Sequence, residues 1–158
     1  TRLQGDWSSD VCSSDLIRPV NAGADCMNPA EDEHELVLRV RYAETDQMGF
    51  VHHANYLVYF EMGRTEMLRS TGLNYRAIEE KGFYLVVFKV TCKYRSPARY
   101  DDELVLRTRI TRVTPVRIEH SYRLTRGRDL IAEGESTLAC VDRNGELQAL
   151  PPELAPTD

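Results

Sequence analysis

The sequence predicts an α+β domain in which a curved antiparallel β-sheet wraps around one long helix. Three observations carry that expectation. The hydrophobic period is two over residues 35–42, becomes helical over 55–70, and returns to two from residue 84 onward. The links between the later strands are too short for parallel crossovers, so those strands must run antiparallel. A single long helix, finally, can bury its apolar stripe only if the sheet curls around it.

In the first strand Leu36, Leu38, Val40 and Tyr42 alternate with Val37, Arg39 and Arg41, giving residues 35–42 one buried face. A loop follows around residues 46–54. Over residues 55–70, NYLVYFEMGRTEMLRS, Tyr56, Phe60, Gly63 and Met67 recur at i, i+4, i+7 and i+11, while Glu61, Arg64, Glu66 and Arg69 carry charge elsewhere. This is an amphipathic helix of about four turns. Asn55 is its candidate N-cap and Gly72 its stop. Residues 74–81 make a further short helical segment before Gly82. Tyr84, Val86, Phe88, Val90, Cys92 and Tyr94 then form one unbroken apolar face of a long strand whose other face carries Lys89, Thr91 and Lys93. Three more strands are expected at residues 103–113, 116–126 and 129–142, the last two joined by a hairpin around Gly127. Gly134 marks a bulge or a close backbone approach. The tail PPELAPTD cannot continue a sheet. One strand, a long helix and four further strands make the hotdog architecture. Its sheet is expected to have open edges and a partly apolar outer face, so copies should pair as a homodimer or homotetramer.

The chain has 158 residues, 42% hydrophobic and 28% charged, which fits one ordinary globular domain. Its apolar runs fall far short of the ~20 residues needed to cross a bilayer, so no membrane span is expected. There are 20 Lys and Arg against 25 Asp and Glu, a net charge of −5, which gives no general attraction for nucleic acid. Cys92 and Cys140 occupy apolar strand positions and read as small buried hydrophobes of a reducing compartment, so a cytoplasmic location is expected. No zinc-ligand spacing occurs, and no metal is expected. Residues 1–26, which hold Cys12 and Cys26, stand apart: they lack any period, and DVCSSDL resembles the in-frame translation of a sequencing-adapter oligonucleotide. They are read as a non-native or disordered extension, with Met27 as the native start and the domain over residues 33–152.

Chemistry concentrates in residues 45–55, TDQMGFVHHAN, ahead of the long helix. A helix N-terminus presents unsatisfied N–H groups and partial positive charge, which suits a polarised carbonyl oxygen, and a nearby carboxylate can activate water. Asp46 is the carboxylate, Gly49 lets the loop fold tightly, and His52 and His53 lead into the helix. From the residues alone, Asp46 is also a turn or cap residue and the two histidines a structural N-terminal feature. Glu61 is the competing carboxylate; it lies about six residues into the helix, roughly 9 Å along its axis, where an ion pair with Arg64 accounts for it. No G-x-S-x-G, phosphate loop or dinucleotide fingerprint is present.

The stretch YAETDQMGFVHHANYLVYFEMGRTEMLR resembles the acyl-CoA thioesterases of the hotdog superfamily, in the branch of 4-hydroxybenzoyl-CoA thioesterase and the YbgC-like proteins. Asp46, Gly49, Val51, His53 and Tyr56 carry the resemblance, with Phe60, Glu61 and Arg64 following; it extends more loosely through KYRSPARYDDEL to the Gly134 strand. It implies hydrolysis of an acyl-CoA thioester to a free acid and coenzyme A, with no cofactor beyond the coenzyme A of the substrate. It assigns Asp46 as general base or as nucleophile through a mixed anhydride, and the backbone N–H of His53 as the holder of the thioester oxygen. Gly49, Val51, His52 and Tyr56 are the implied substrate contacts. Lys93 and Arg95, with Lys89 and Arg99 near them, are expected to meet the coenzyme's phosphates. Acyl carrier protein presents the same phosphopantetheine arm and stays open as the thiol carrier. Two other readings stay open: a non-catalytic acyl-CoA or acyl-carrier-protein binding module, which needs no acid at position 46, and an enoyl-CoA hydratase. The hydratase's Asp-x4-His spacing fails here, because the fifth residue after Asp46 is Val51 and His52 is one place late.

Overall fold

In the computed structural model, residues 17–19 and 33–156 are described. Strand β1 (Ile17–Pro19) lies beside β2 (Glu33–Arg39); a 3-10 turn at Tyr42–Glu44 leads to the long helix α1 (Asn55–Ser70) and the short α2 (Tyr75–Glu80). Strands β3 (Tyr84–Tyr94), β4 (Glu103–Thr114), β5 (Arg117–Arg126) and β6 (Asp129–Val141) complete the chain. All pairings are antiparallel, in the order β1-β2-β4-β5-β6-β3. The α+β hotdog expected from the sequence is the fold observed. The extension read at residues 1–26 lies outside the described residues except for 17–19, where three residues read as loop pair with Leu36–Leu38 of β2. Among the described residues no helix is long and apolar enough to cross a membrane.

The helix spans the predicted residues, but its cap differs. Ala54 is the N-cap and Asn55 the first helical residue; the Asn55 side chain instead donates to the Glu44 carbonyl at 2.8 Å. Gly72 takes φ +84°, the left-handed turn that ends a helix and that glycine adopts without steric cost.

The expected unbroken face of β3 is interrupted at Phe88. Val87 pairs with Leu138 but Lys89 pairs with Thr137, so Phe88 is an extra residue in the ladder. A one-residue bulge reverses the facing of everything before it. Cys92 and Tyr94 therefore pack toward α1 as expected, whereas Leu85 takes the inward place assigned to Tyr84 and Val86. Val86, Val87, Phe88 and Val90 stay exposed on this strand, at the open edge of the sheet. Away from that edge the outer face mixes charge with half-buried apolar residues: Arg107 meets Glu33 and Glu35 and Arg109 meets Glu33, while Val37, Val105 and Leu130 lie in one register row across the sheet.

Two apolar clusters fill the interior. One surrounds Tyr59 and Phe60 in the N-terminal half of α1, on Leu36, Leu38, Leu104 and Leu106. The other gathers Met67, Leu68, Ile78, Ile110, Ile118 and Cys140, and Leu150 and Leu154 of the tail close it. Packing thus continues past residue 152, pinned by the Lys81–Glu153 ion pair. Cys92 and Cys140 are free thiols, half-buried and buried. Between the clusters runs a polar band: His34 faces Thr108, Thr108 faces Tyr122, and the Tyr122 hydroxyl meets Ser136 Oγ at 2.6 Å. Gly63 lets α1 settle onto this band, since an added Cβ would stand 2.4 Å from Thr108 Oγ1.

His120 belongs to the same band. It is buried, and its Nδ1 has no partner among the described residues. Burial first, and then the Arg64 charge, pull its pKa from the ordinary 6.5 to about 3. The folded protein thus refuses a proton that the unfolded chain accepts, so this stability is present above pH 6.5 and is lost as pH falls from 6.5 toward 3. Urea midpoints should drop across that window, and a His120→Gln variant should drop less steeply. Parallel slopes for the two proteins would assign the loss to other groups, the carboxylates and the buried His34, whose pKa burial also lowers.

Candidate active site

A tight hairpin carries Asp46 and the two histidines to the start of α1. Thr45 bridges Val51, and Phe50 bridges Arg99 in the segment before β4. Within the turn the Asp46 N–H donates to the Phe50 carbonyl at 2.8 Å and the Gly49 N–H to the Asp46 carbonyl at 2.9 Å. Gly49 adopts φ +77°, which a side chain would strain. The Val51 N–H donates to the Ala98 carbonyl at 2.8 Å, and the Arg99 guanidinium lies 4.6 Å over the Phe50 ring.

The Asp46 carboxylate combines both of its sequence readings. Oδ1 accepts the Met48 N–H at 2.9 Å and the Phe50 N–H at 3.3 Å, the bonds of a turn residue. Oδ2 has no hydrogen-bond partner among the described residues, which leaves a lone pair able to take a proton.

At the mouth of the helix the amides are taken in a pattern. The His52 N–H donates to the Glu44 carbonyl at 2.8 Å, the Ala54 N–H to His52 Nδ1 at 3.2 Å, and the Asn55 N–H to the His52 carbonyl at 2.9 Å. The His53 N–H has no acceptor among the described residues. Its carbonyl accepts the Tyr94 hydroxyl at 3.0 Å, which fixes the peptide from the β3 side. Both imidazoles are exposed, with ring centroids 4.1 Å apart. An open amide beside the positive end of α1 is a place for a developing oxyanion.

Other expected site residues fall elsewhere. Val51 and Tyr56 are 5% and 4% exposed and belong to the first apolar cluster, so they brace the site from behind instead of lining an open surface. Tyr56 packs edge-on against Tyr59 and Tyr94, and burial holds its hydroxyl above the usual tyrosine range. Arg95, expected to meet phosphates, is held by Glu133, with Nε at 3.2 Å and a terminal nitrogen at 2.5 Å. Lys93 is exposed and stands opposite the same carboxylate in register. Glu61 pairs with Arg64 at 3.4 Å, as the helix spacing predicts. Among the described residues no group of His, Cys, Asp and Glu could hold a metal ion.

Sequence reasoning missed Glu44 and the role of Tyr94. Glu44 is 5% exposed, yet a glutamate in a polar loop carries no sequence signal of burial.

Comparison with known proteins decides the family, because the profile of the thioesterase-like superfamily matches residues 40–156. The chain belongs to the thioesterase-like superfamily. It is 37% identical over 106 residues to the acyl-CoA thioester hydrolase YbgC of Escherichia coli, covering 66% of this chain and 79% of that one. An acyl-acyl carrier protein thioesterase of Arabidopsis thaliana, a chloroplastic protein, is 39% identical over 85 residues, covering 54% of this chain and 45% of that one. A solved "Probable Thioesterase" from Bartonella henselae superposes with a TM-score of 0.73 at 31% identity, covering 76% of this chain and 100% of that one.

Proposed function

We propose that this thioesterase-like protein hydrolyses acyl-CoA thioesters to a free acid and coenzyme A at Asp46 and the His53 amide. The observation that carries the reading is the His53 N–H at the start of α1, next to the hairpin that holds a carboxylate oxygen of Asp46, both without a partner among the described residues. The thioester oxygen sits on the His53 amide, where charge developing on it is stabilised. Asp46 Oδ2 takes a proton from water as the water oxygen bonds to the carbonyl carbon; the C–S bond then breaks and that proton passes to the departing thiolate. In the nucleophilic route the same oxygen attacks the carbonyl carbon and the C–S bond breaks to release the thiolate; water then opens the mixed anhydride, giving the free acid and restoring the Asp46 carboxylate, with its proton going to the thiolate. Similarity to YbgC supports coenzyme A as the thiol carrier, and similarity to the Arabidopsis protein supports acyl carrier protein.

Around this centre Gly49 and His52 face the substrate, Val51 and Tyr56 brace it, and Lys93 meets the coenzyme's phosphates. Arg95 joins Lys93 only on exchanging Glu133 for phosphate. The catalytic unit, read from the sequence as residues 33–152, extends through Leu154, which closes the second apolar cluster. The exposed Val86, Phe88 and Val90, on a strand edge unpaired among the described residues, support a homodimer joined along β3. The free thiols support work in a reducing compartment such as the cytoplasm.

The test is thiol release from short, medium, long and aromatic acyl-CoAs and from one acyl-carrier-protein thioester. Turnover of at least one class is expected, and binding without turnover would give the non-catalytic module instead.

A further inference from the structure

We propose that Glu44 is the positioning residue of this site, a buried carboxylate that fixes the Asp46 hairpin against the His53 amide. The inference rests on the thioester-hydrolase reading and deepens it.

Glu44 joins three parts of the chain. Oε2 accepts the Arg41 N–H and the Tyr59 hydroxyl, each at 2.8 Å, and Oε1 accepts Arg41 Nε at 2.8 Å. The carbonyl of the same residue accepts the His52 N–H and the Asn55 side-chain amide, each at 2.8 Å. Strand exit, hairpin and helix therefore meet at one residue. Tyr59 is 1% exposed on the core face of α1, so the helix end of the link is anchored in the first apolar cluster. Burial, with the Glu44 hydrogen bond next, pushes the Tyr59 hydroxyl above its ordinary range, so it remains a donor at working pH.

A buried carboxylate is costly unless it is paired and fully hydrogen-bonded, and a loop that needed only shape could use an apolar side chain. What this carboxylate adds is distance control. Asp46 lies two residues beyond Glu44, and His53 follows the His52 amide that the Glu44 carbonyl holds. The Tyr94 hydroxyl stays the His53 carbonyl from the opposite side. A misplacement of about 1 Å between reacting groups costs on the order of a hundredfold in rate.

The test compares Glu44→Gln, Glu44→Asp and Tyr59→Phe in the full chain, by steady-state kinetics on the best acyl-CoA and by hydrogen exchange over residues 44–56. Glu44→Gln keeps the size but turns one oxygen into a donor facing Arg41. Its kcat is expected to fall about ten- to hundredfold with KM within roughly threefold, and exchange at the His52 amide to accelerate. Glu44→Asp, which keeps the charge, should recover part of the loss. If Glu44→Gln does not fold, Tyr59→Phe decides, with an expected kcat loss of about fivefold. Unchanged kcat per folded molecule in the variant that decides overturns the proposal, as does unchanged exchange. A wild-type protein that hydrolyses no thioester overturns the hydrolase reading instead, and the exchange comparison then decides the clamp alone.

Discussion

Replacing Asp46 with Asn is expected to lower kcat on the best acyl-CoA by about 10² to 10⁴, the range for losing a general base. Stability should hardly change. Asn keeps the oxygen that accepts the Met48 and Phe50 N–H groups, so the turn survives while the proton acceptor disappears. An Asp46→Ala variant separates the two roles, losing the activity and also ~1 kcal/mol of stability through the orphaned amides. Thiol release beside a thermal melt reads both. An Asp46→Asn enzyme as fast as its parent would remove Asp46 from the chemistry. Glu61 would come next, although its side chain is 67% exposed and already paired with Arg64.

The second large effect is on folding. Gly134→Ala is expected to destabilise the protein by about 3 kcal/mol, at the upper end of overpacking costs. The new Cβ would stand 2.4 Å from the Thr91 carbonyl and 2.5 Å from Phe60 Cε2. The carbonyl is backbone of the neighbouring strand, and the Phe60 ring is itself stacked on Tyr122 at 4.4 Å, so neither can yield cheaply. Urea denaturation measures the loss; a value below about 1 kcal/mol would mean that the helix rides higher on the sheet than this geometry allows.

Gly134 shows what the sequence made legible. A glycine inside a strand pattern signals a close approach, and Phe60 of α1 supplies it. The limits of α1 and β3 were legible because long periodic segments with glycine after them leave few alternatives. The facing of β3 before Phe88 was not, since a bulge adds a residue without changing composition, and a period of two then runs on in the wrong phase. The ion pairs on the outer face of the sheet were not legible for a related reason: cross-strand partners such as Arg107 and Glu35 meet only through register, which no single strand reveals. At the site, Asp46 and Gly49 stand out as a carboxylate and a turn glycine, and the motif resemblance gave His53 a role. Glu44 stayed hidden because its importance lies in burial and in its carbonyl, and a side-chain pattern reports neither. Arg95 misled in the opposite sense, for its charge is visible in the sequence and its Glu133 partner is not.

The polar band beneath Gly63 gives the long helix two separate bearings. The site sits at the end carried by the Tyr59 and Phe60 bearing; the far bearing, sealed by α2 and the tail, serves as foundation. Repacking around Met67, Ile110 or Leu154 should therefore retune melting temperature while the reacting groups keep their spacing, so robustness and chemistry in this small domain can be adjusted by different hands.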